Sequence, residues 1–425
     1  MSITNEWQEI ALQDLAKEIT VGFVGPMASE YVPKGIPFLR SLNVEPFRIN
    51  HADLMYVSES FHQRIKKSTL TPGDVVIVRT GKPGTAAVIP DTLPIANCSD
   101  LVIVRPGPQL DSKFLAYYIN SAAQHHVYAH TVGAVQQHFN VGSAKTLKLL
   151  KPPLDEQRAI VRILGALDDK IDLNRRMNRT LESMVQALFQ SWFVDFEPVS
   201  AKREGRKPVG MNEATAALFP EHFQETDMGP IPVGWRITSI YDVAEVIYGA
   251  PFASALFNLN ADGKPLIRIR DLVNESPSVY TPEAHAKGYM VQPGDIVVGM
   301  DGEFRAYLWG GIPSWLNQRV CVFAPKPPFS SPFVRCNINP LLAEIEATET
   351  ATTVIHLGKN DIDRFKAIVP DEDVLKAFNS VCQPCYDRIV KNKQQLRTLA
   401  AQRDALLPQL LSGELKVGQA EDMIP

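Results

Sequence analysis

The sequence predicts a mixed α/β protein in which two similar α/β domains are separated by two long antiparallel coiled-coil helices, with a pseudo-two-fold internal repeat. Three observations carry this expectation. An apolar seam of helical period runs through residues 154–196, a second seam runs through 371–413, and the regions preceding the two seams share one plan.

In the first seam Ile160, Leu164, Leu167, Ile171, Asn174, Asn178, Leu181, Val185, Leu188 and Trp192 recur in steps of four and three. A mean step of about 3.5 residues places them along one narrow stripe of a helix that packs against another helix. At ~1.5 Å per residue the rod is roughly 60 Å long, too long to lie within one compact domain. The step returns in Leu375, Phe378, Cys382, Cys385, Ile389, Asn392, Leu396, Leu399, Arg403, Leu406 and Leu410. Both seams carry Asn at their middle, and a seam Asn requires a polar partner opposite, which fixes register. Pro152-Pro153 precedes Asp155-Glu156, and Pro370 precedes Asp371-Glu372-Asp373. Proline ends the incoming strand and acids suit the first helical turn. Two helices paired within one chain meet these needs, and two separate dimerisation helices are the alternative. Pro384 is expected to bend the second rod.

The duplication is read from ordered matches. Trp7, Leu12, Asp14, Leu15 and Ala16 are answered 228 residues later by Trp235, Ile240, Asp242, Val243 and Ala244. Gly35, Pro37, Arg40 and Asn43 meet Gly263, Pro265, Arg268 and Asp271 at the same offset. LTPGDVVIV from Leu70 matches VQPGDIVVG from Val291, Asn97 matches Asn317, and LVIV from Leu101 matches VCVF from Val320. Four matched blocks in one order indicate an internal repeat. Short strands are expected at 37–42, 74–78 and 101–104, and at 265–269, 295–298 and 319–323, with a helix from Asp111 onward. The expected boundaries are a first domain at 1–153, the first helix at 154–196, a surface linker at 197–234, a second domain at 235–370, the second helix at 371–413 and a tail at 414–425 that has little reason to fold.

Composition narrows the function classes. With 43 basic and 47 acidic residues the net charge is −4, so any nucleic-acid surface is local. The first domain holds 14 basic and 12 acidic residues and the second 12 and 14, so neither attracts DNA strongly by charge. The N-terminus MSITNEWQEI has no basic and apolar signal pattern, no stretch approaches ~18 apolar residues, and the five Cys are scattered. A cytoplasmic protein without a membrane span is expected.

Catalytic motifs are missing. There is no GxxxxGK[ST] loop, and Gly81-Lys82-Pro83-Gly84 is a tight turn. Lys151-Pro152-Pro153-Leu154 lacks the amide or acid and the aromatic of an amino-methyltransferase motif, and Pro370-Asp371 with Glu372 and Lys376 opens a helix without the spacing of a nuclease carboxylate set. Cys382-Gln383-Pro384-Cys385 has no second ligand pair, and both Cys are expected as buried seam residues. His125, His126 and His130 have helical spacing but no acid or Cys partner, which points to a surface or phosphate-contacting role.

Binding remains. The expected DNA-contacting side chains are Arg40, Asn43, Arg79, Thr80, Lys82, Asn97, Gln136, Gln137 and His138 in the first domain. In the second they are Arg268, Arg270, Asp271, Asp301, Glu303, Arg305, Asn317, Gln318, Arg319 and Lys359. In loops between strands such residues match base edges: Arg forks onto guanine, Asn or Gln onto adenine, and a carboxylate accepts from the cytosine amine.

LKPPLDEQRAIV from Leu150, KIDLNRRMNRTLE from Lys170, ALFQSWFVDFEPV from Ala187, MGPIPVGW from Met228, LNQRVCVF from Leu316 and LLPQLLSGEL from Leu406 are long and specific segments. Together they make the chain resemble, over essentially its whole length, the specificity subunit of type I restriction–modification enzymes. The resemblance implies two target-recognition domains, similar to that of adenine-N6 methyltransferases, each reading one half of a split site on double-stranded DNA. It implies helices that set the spacer and dock two methyltransferase (modification) subunits, with a restriction (motor–nuclease) subunit joining for cleavage, in DNA methylation and phage defence. S-adenosylmethionine, ATP and Mg are implied for those partners, with no cofactor, metal or catalytic residue on this chain. The family's recognition loops vary, so contacts carry over only as loop positions. A scaffold joining two protein partners through the helices is the second reading.

Overall fold

The computed structural model describes residues 7–129, 138–348 and 356–421. It forms two compact units, one of residues 1–170 and 399–425 and the other of residues 171–398, so both long helices contribute to both units.

The first head is built on two sheets. Strands Ala16–Val21, Leu101–Pro106, Val75–Val78 and Ala86–Val88 are hydrogen-bonded in that order, all antiparallel. A second sheet sets Ile36–Leu39 parallel to Ala96–Cys98, flanked by Met55–Val57 and Thr69–Leu70. The run Val75 to Val78 is buried on both faces, which is why it reads as continuously apolar. Gln8–Ala11 pairs with Lys148–Lys151 and closes the head just before the first long helix.

The second head repeats this wiring. Ala244–Tyr248, Val320–Pro325, Ile296–Gly299 and Ala306–Leu308 form the first sheet. Lys264–Ile267 runs parallel to Ser314–Leu316, flanked by Tyr280–Thr281 and Met290–Val291. Arg236–Ser239 pairs with Lys366–Val369 just before the second long helix. The matched sequence blocks thus occupy matched strands, and the expected strands stand within a few residues of the observed ones. The paired turns are alike too: Thr71 N donates to Asp74 Oδ2 at 2.9 Å, and Gln292 N donates to Asp295 Oδ2 at 2.8 Å. Gly73 and Gly294 take the positive φ of 89° and 103° that these turns require.

The first long helix spans Leu154–Phe189 and the second Glu372–Ser412. In the second unit they run antiparallel. Asn174 Nδ2 donates to Gln395 Oε1 at 2.9 Å, Asn392 Nδ2 donates to Asn178 Oδ1 at 2.8 Å, and Trp192 meets Phe378 with ring centres 6.0 Å apart. The residue numbers rise on one helix as they fall on the other. Each seam Asn has found the polar partner that its position demands. The helix continues through Pro384, and Gly413 with φ 75° ends it.

Three expectations are corrected. The seam predicts one rod to Phe196, but the first helix passes into a π turn at Gln190–Val194 and stops at Phe196, whose φ is 51°. The linker's composition predicts a surface course, yet Val199, Phe219 and Ile231 are buried. The reason is aromatic: Trp192 packs edge-on to Phe219 at 5.1 Å and Phe196 meets Phe223 at 6.0 Å, so the linker covers rings that would otherwise face water. The tail folds in part, because Val417–Glu421 is helical and Ala420 is buried. The buried stripe of the first helix is also wider than the seam. Ala159 and Ile163 are buried, and Gln157 accepts from Asp111 N at 2.9 Å and donates to the carbonyls of Gln109 and Pro152, tying helix to head. Among the described residues no helix is long and apolar enough to cross a membrane.

Candidate nucleic-acid interface

In each head three backbone segments meet at the ends of the two central strands of the first sheet, and a fourth arrives from the second. In the first head Leu101 pairs with Val78, which sets the turn at 97–100 beside residues 79 and 80. Phe139 N donates to Arg79 O at 3.0 Å and brings in the loop before the head's closing strand. Ser99 N donates to Leu39 O at 2.9 Å and brings Arg40 alongside. In the second head Met300 N donates to Arg319 O at 3.0 Å, Leu357 N to Met300 O at 2.8 Å and Asn317 N to Ile267 O at 3.3 Å, so residues 300–301, 317–319, 356–357 and 268 gather in the same way.

Side chains of opposite charge pair across these loops, and the two heads exchange the signs. In the first head Arg79 forms an ion pair with Asp100, and Thr80 Oγ1 lies 2.8 Å from His138 Nδ1. In the second the acid comes from the strand end: Asp301 Oδ1 is 2.7 Å from His356 Nδ1 and 3.5 Å from Arg319 Nη1. Arg319 is 57% exposed and Asp301 24%, so the pair stands at the surface without being fully solvated. Lys82, Arg270, Gln318 and Lys359 are exposed on the flanking turns, and Asn317 is half-buried. Lys359 is engaged by Asp363 at 2.9 Å, and Glu303 and Arg305 pair with each other at 3.3 Å in the open.

Three expected contacts are corrected. Asn43 is fully buried: its Oδ1 accepts from Arg40 N at 3.0 Å and its Nδ2 donates to the carbonyls of Asn50 and Ala52. Asp271 does the same work in the second head, accepting from Arg268 N at 2.9 Å and from the Arg268 guanidinium at 3.1 Å. Asn97 is buried against His62 Nδ1 at 3.0 Å. These side chains shape the loops from inside and offer nothing outward. Arg40 and Arg268 are half-buried and anchored, Arg40 to Asp53 O and Arg268 to Asp271 and Ser278. Gln136 and Gln137 lie outside the described residues.

Two glycines missing from the sequence expectation shape this edge. A Cβ on Gly22 would lie 1.8 Å from Ser99 O, and one on Gly249 would lie 1.9 Å from Asn317 O. Their place 227 residues apart was the available signal. Gly249→Ala is expected to destabilise the second head by about 1–3 kcal/mol, because the strand must move off the turn. Gly165→Ala, with nothing within 4 Å of the added carbon, should be neutral or mildly stabilising. Thermal unfolding of the two variants checks this.

The remaining candidates have local roles. Burial pushes the Cys382 thiol up to about 12, so it stays a protonated seam residue, whereas Cys385 is only half-buried. His126 Nε2 lies 3.0 Å from Ser143 O, and His125 is exposed; His130 lies outside the described residues. Among the described residues no group of three His, Cys, Asp or Glu is placed to hold a metal ion.

Two duplicated α/β heads with a polar edge, joined by paired helices, define a class that comparison with known proteins identifies. A family described as the type I restriction modification DNA specificity domain matches residues 4–183 and 232–377. The chain belongs to this family. It is similar to the HindI specificity subunit of Haemophilus influenzae, 23% identical over 97% of this chain and all of that one. It is similar also to the EcoBI specificity subunit of Escherichia coli, 37% identical over 30% of this chain and 27% of that one. The fold resembles the crystal structure of the S subunit of a type I restriction–modification system from M. genitalium, with a TM-score of 0.57, 14% identity and coverage of 96% and 97% of the two chains.

Proposed function

We propose that this chain is the non-catalytic sequence-reading subunit of a type I restriction–modification enzyme, and that each head reads one half of a bipartite double-stranded DNA site. Residues 1–153 and 235–370 are the two recognition domains. The helices set the spacer, dock two methyltransferase subunits and, through them, the motor–nuclease subunit. Adenine-N6 methylation and site-specific cleavage then belong to those partners, along with S-adenosylmethionine, ATP and Mg. The observation that supports this best is the recurrence of one polar edge in both heads, on matched strands, with different side chains. A duplicated frame with divergent contacts suits the reading of two different half-sites. Near-neutral heads suit it as well, since partners can supply phosphate contacts that these heads lack.

Exchange of residues 1–153 as a unit for another family member's head is expected to change one half of the methylated motif and leave the other intact. Sequencing of adenine methylation in cells carrying the chimera checks this. A chimera that keeps both halves would show that the heads do not divide the site. Absence of any split motif in the unaltered cell would favour the scaffold function.

A further inference from the structure

We infer that Asp301 and Arg319 read a single G·C base pair together, a specificity element of the second half-site that rests on the DNA-reading function proposed above. The two side chains come from different loops and are brought together by the Met300 N to Arg319 O hydrogen bond. Arg319 Nη1 lies 3.5 Å from Asp301 Oδ1, and His356 Nδ1 holds that same oxygen at 2.7 Å. Among the described residues neither Asp301 Oδ2 nor the other two guanidinium nitrogens of Arg319 has a hydrogen-bond partner. One carboxylate oxygen and two guanidinium nitrogens are therefore left without a partner, on neighbouring side chains that are 24% and 57% exposed.

That order of groups selects a base pair. In the major groove a G·C pair presents two adjacent acceptors, guanine N7 and O6, and then the cytosine N4 amine. The guanidinium fork satisfies the two acceptors and the carboxylate accepts from the amine. On an A·T pair the second prong of the fork would face the adenine N6 amine, donor against donor. Neighbouring ionic contacts differ: Lys359 is clamped by Asp363, Arg305 and Glu303 pair within one exposed turn, and Asp361, paired with Arg364, accepts with its second oxygen from Gly358 N. His356 acts here as a positioning residue for the carboxylate.

The test replaces Arg319→Gln, Arg319→Lys and Asp301→Asn singly in the full chain, in cells carrying the complete enzyme, and sequences adenine methylation across the genome. Because Arg319 lies at the surface, folding is expected to survive, and an unchanged first half-site in the methylated motif verifies it in each strain. All three variants are expected to relax the same single G·C position of the second half-site, with preference for that pair falling roughly tenfold or more. Lysine keeps the charge but loses the fork, so retention of the motif by Arg319→Lys would mark a phosphate contact and overturn the inference. Uniform weakening without a change of motif, or relaxation of different positions by the Asp301 and Arg319 variants, would overturn it as well, while leaving the bipartite reading intact. A wild-type methylome with no split motif would remove the proposed function itself and this inference with it.

Discussion

Leu167→Asp is expected to lower the free energy of unfolding by about 3 kcal/mol or more, as is Leu399→Asp, measured by denaturant titration. Leu167 is 2% exposed and Leu399 7%, and both lie on the seam in the first unit. A carboxylate there would lose most of its water, and an uncompensated buried charge costs about 3–5 kcal/mol. Leu173, on the same first helix but 43% exposed, gives the comparison: Leu173→Asp should change stability by no more than about 0.5 kcal/mol. Equal effects at Leu167 and Leu173 would show that the seam is not where the helices meet.

Arg403→Ala is expected to cost about 3 kcal/mol through a different mechanism. Arg403 Nη1 lies 2.8 Å from Asp168 Oδ1, and Tyr117 OH donates to Asp168 Oδ2 at 2.5 Å. One side chain from the head thus meets one from each long helix, all within the first unit. Burial, and then the neighbouring carboxylate, raise the Tyr117 phenol far above its usual range, so it remains a donor. The Arg403 guanidinium also lies 4.5 Å from the centre of the Phe47 ring. Its removal leaves Asp168 with a single neutral donor and little water, since the two charged side chains are only 15% and 22% exposed. Asp168→Asn combined with Arg403→Ala should cost less than the sum of the single changes, because the second loss no longer strands a charge. Arg158→Ala removes a 3.8 Å pair to Asp155 that is 59% and fully exposed, and should be nearly silent. Strict additivity of the first pair would place the stabilisation of Arg403 on Phe47 and on Asp404, which it also meets at 2.8 Å.

The site was only half legible from sequence. The position of each loop between strands is legible, because strands announce themselves by apolar runs and the repeat shows which loops correspond. Which polar side chains turn outward was not legible. Asn43 and Asp271 look like base readers by residue type, yet each is spent on the backbone of its own turn. Nothing in local spacing separates a loop carboxamide that caps from one that projects. Likewise Asp301, Arg319 and His356 are 18 and 37 residues apart in pairs, and only the sheet register makes them neighbours. The linker departs from expectation for a related reason: its Pro, Gly and charge suggest surface, but Phe219 and Phe223 answer rings at the end of the first helix.

By itself the sequence determined the duplication, the two long helices and the demand of each seam Asn for a polar partner. Those follow from regular spacing, and backbone geometry turns spacing into a face without help from distant residues. The tertiary structure decided which partner each Asn took, which loop residues were consumed in shaping the turns, and how acid and base were exchanged between the edges of the two heads. Those outcomes depend on contacts between segments far apart in the chain, where burial forces every polar atom to find a partner or face water.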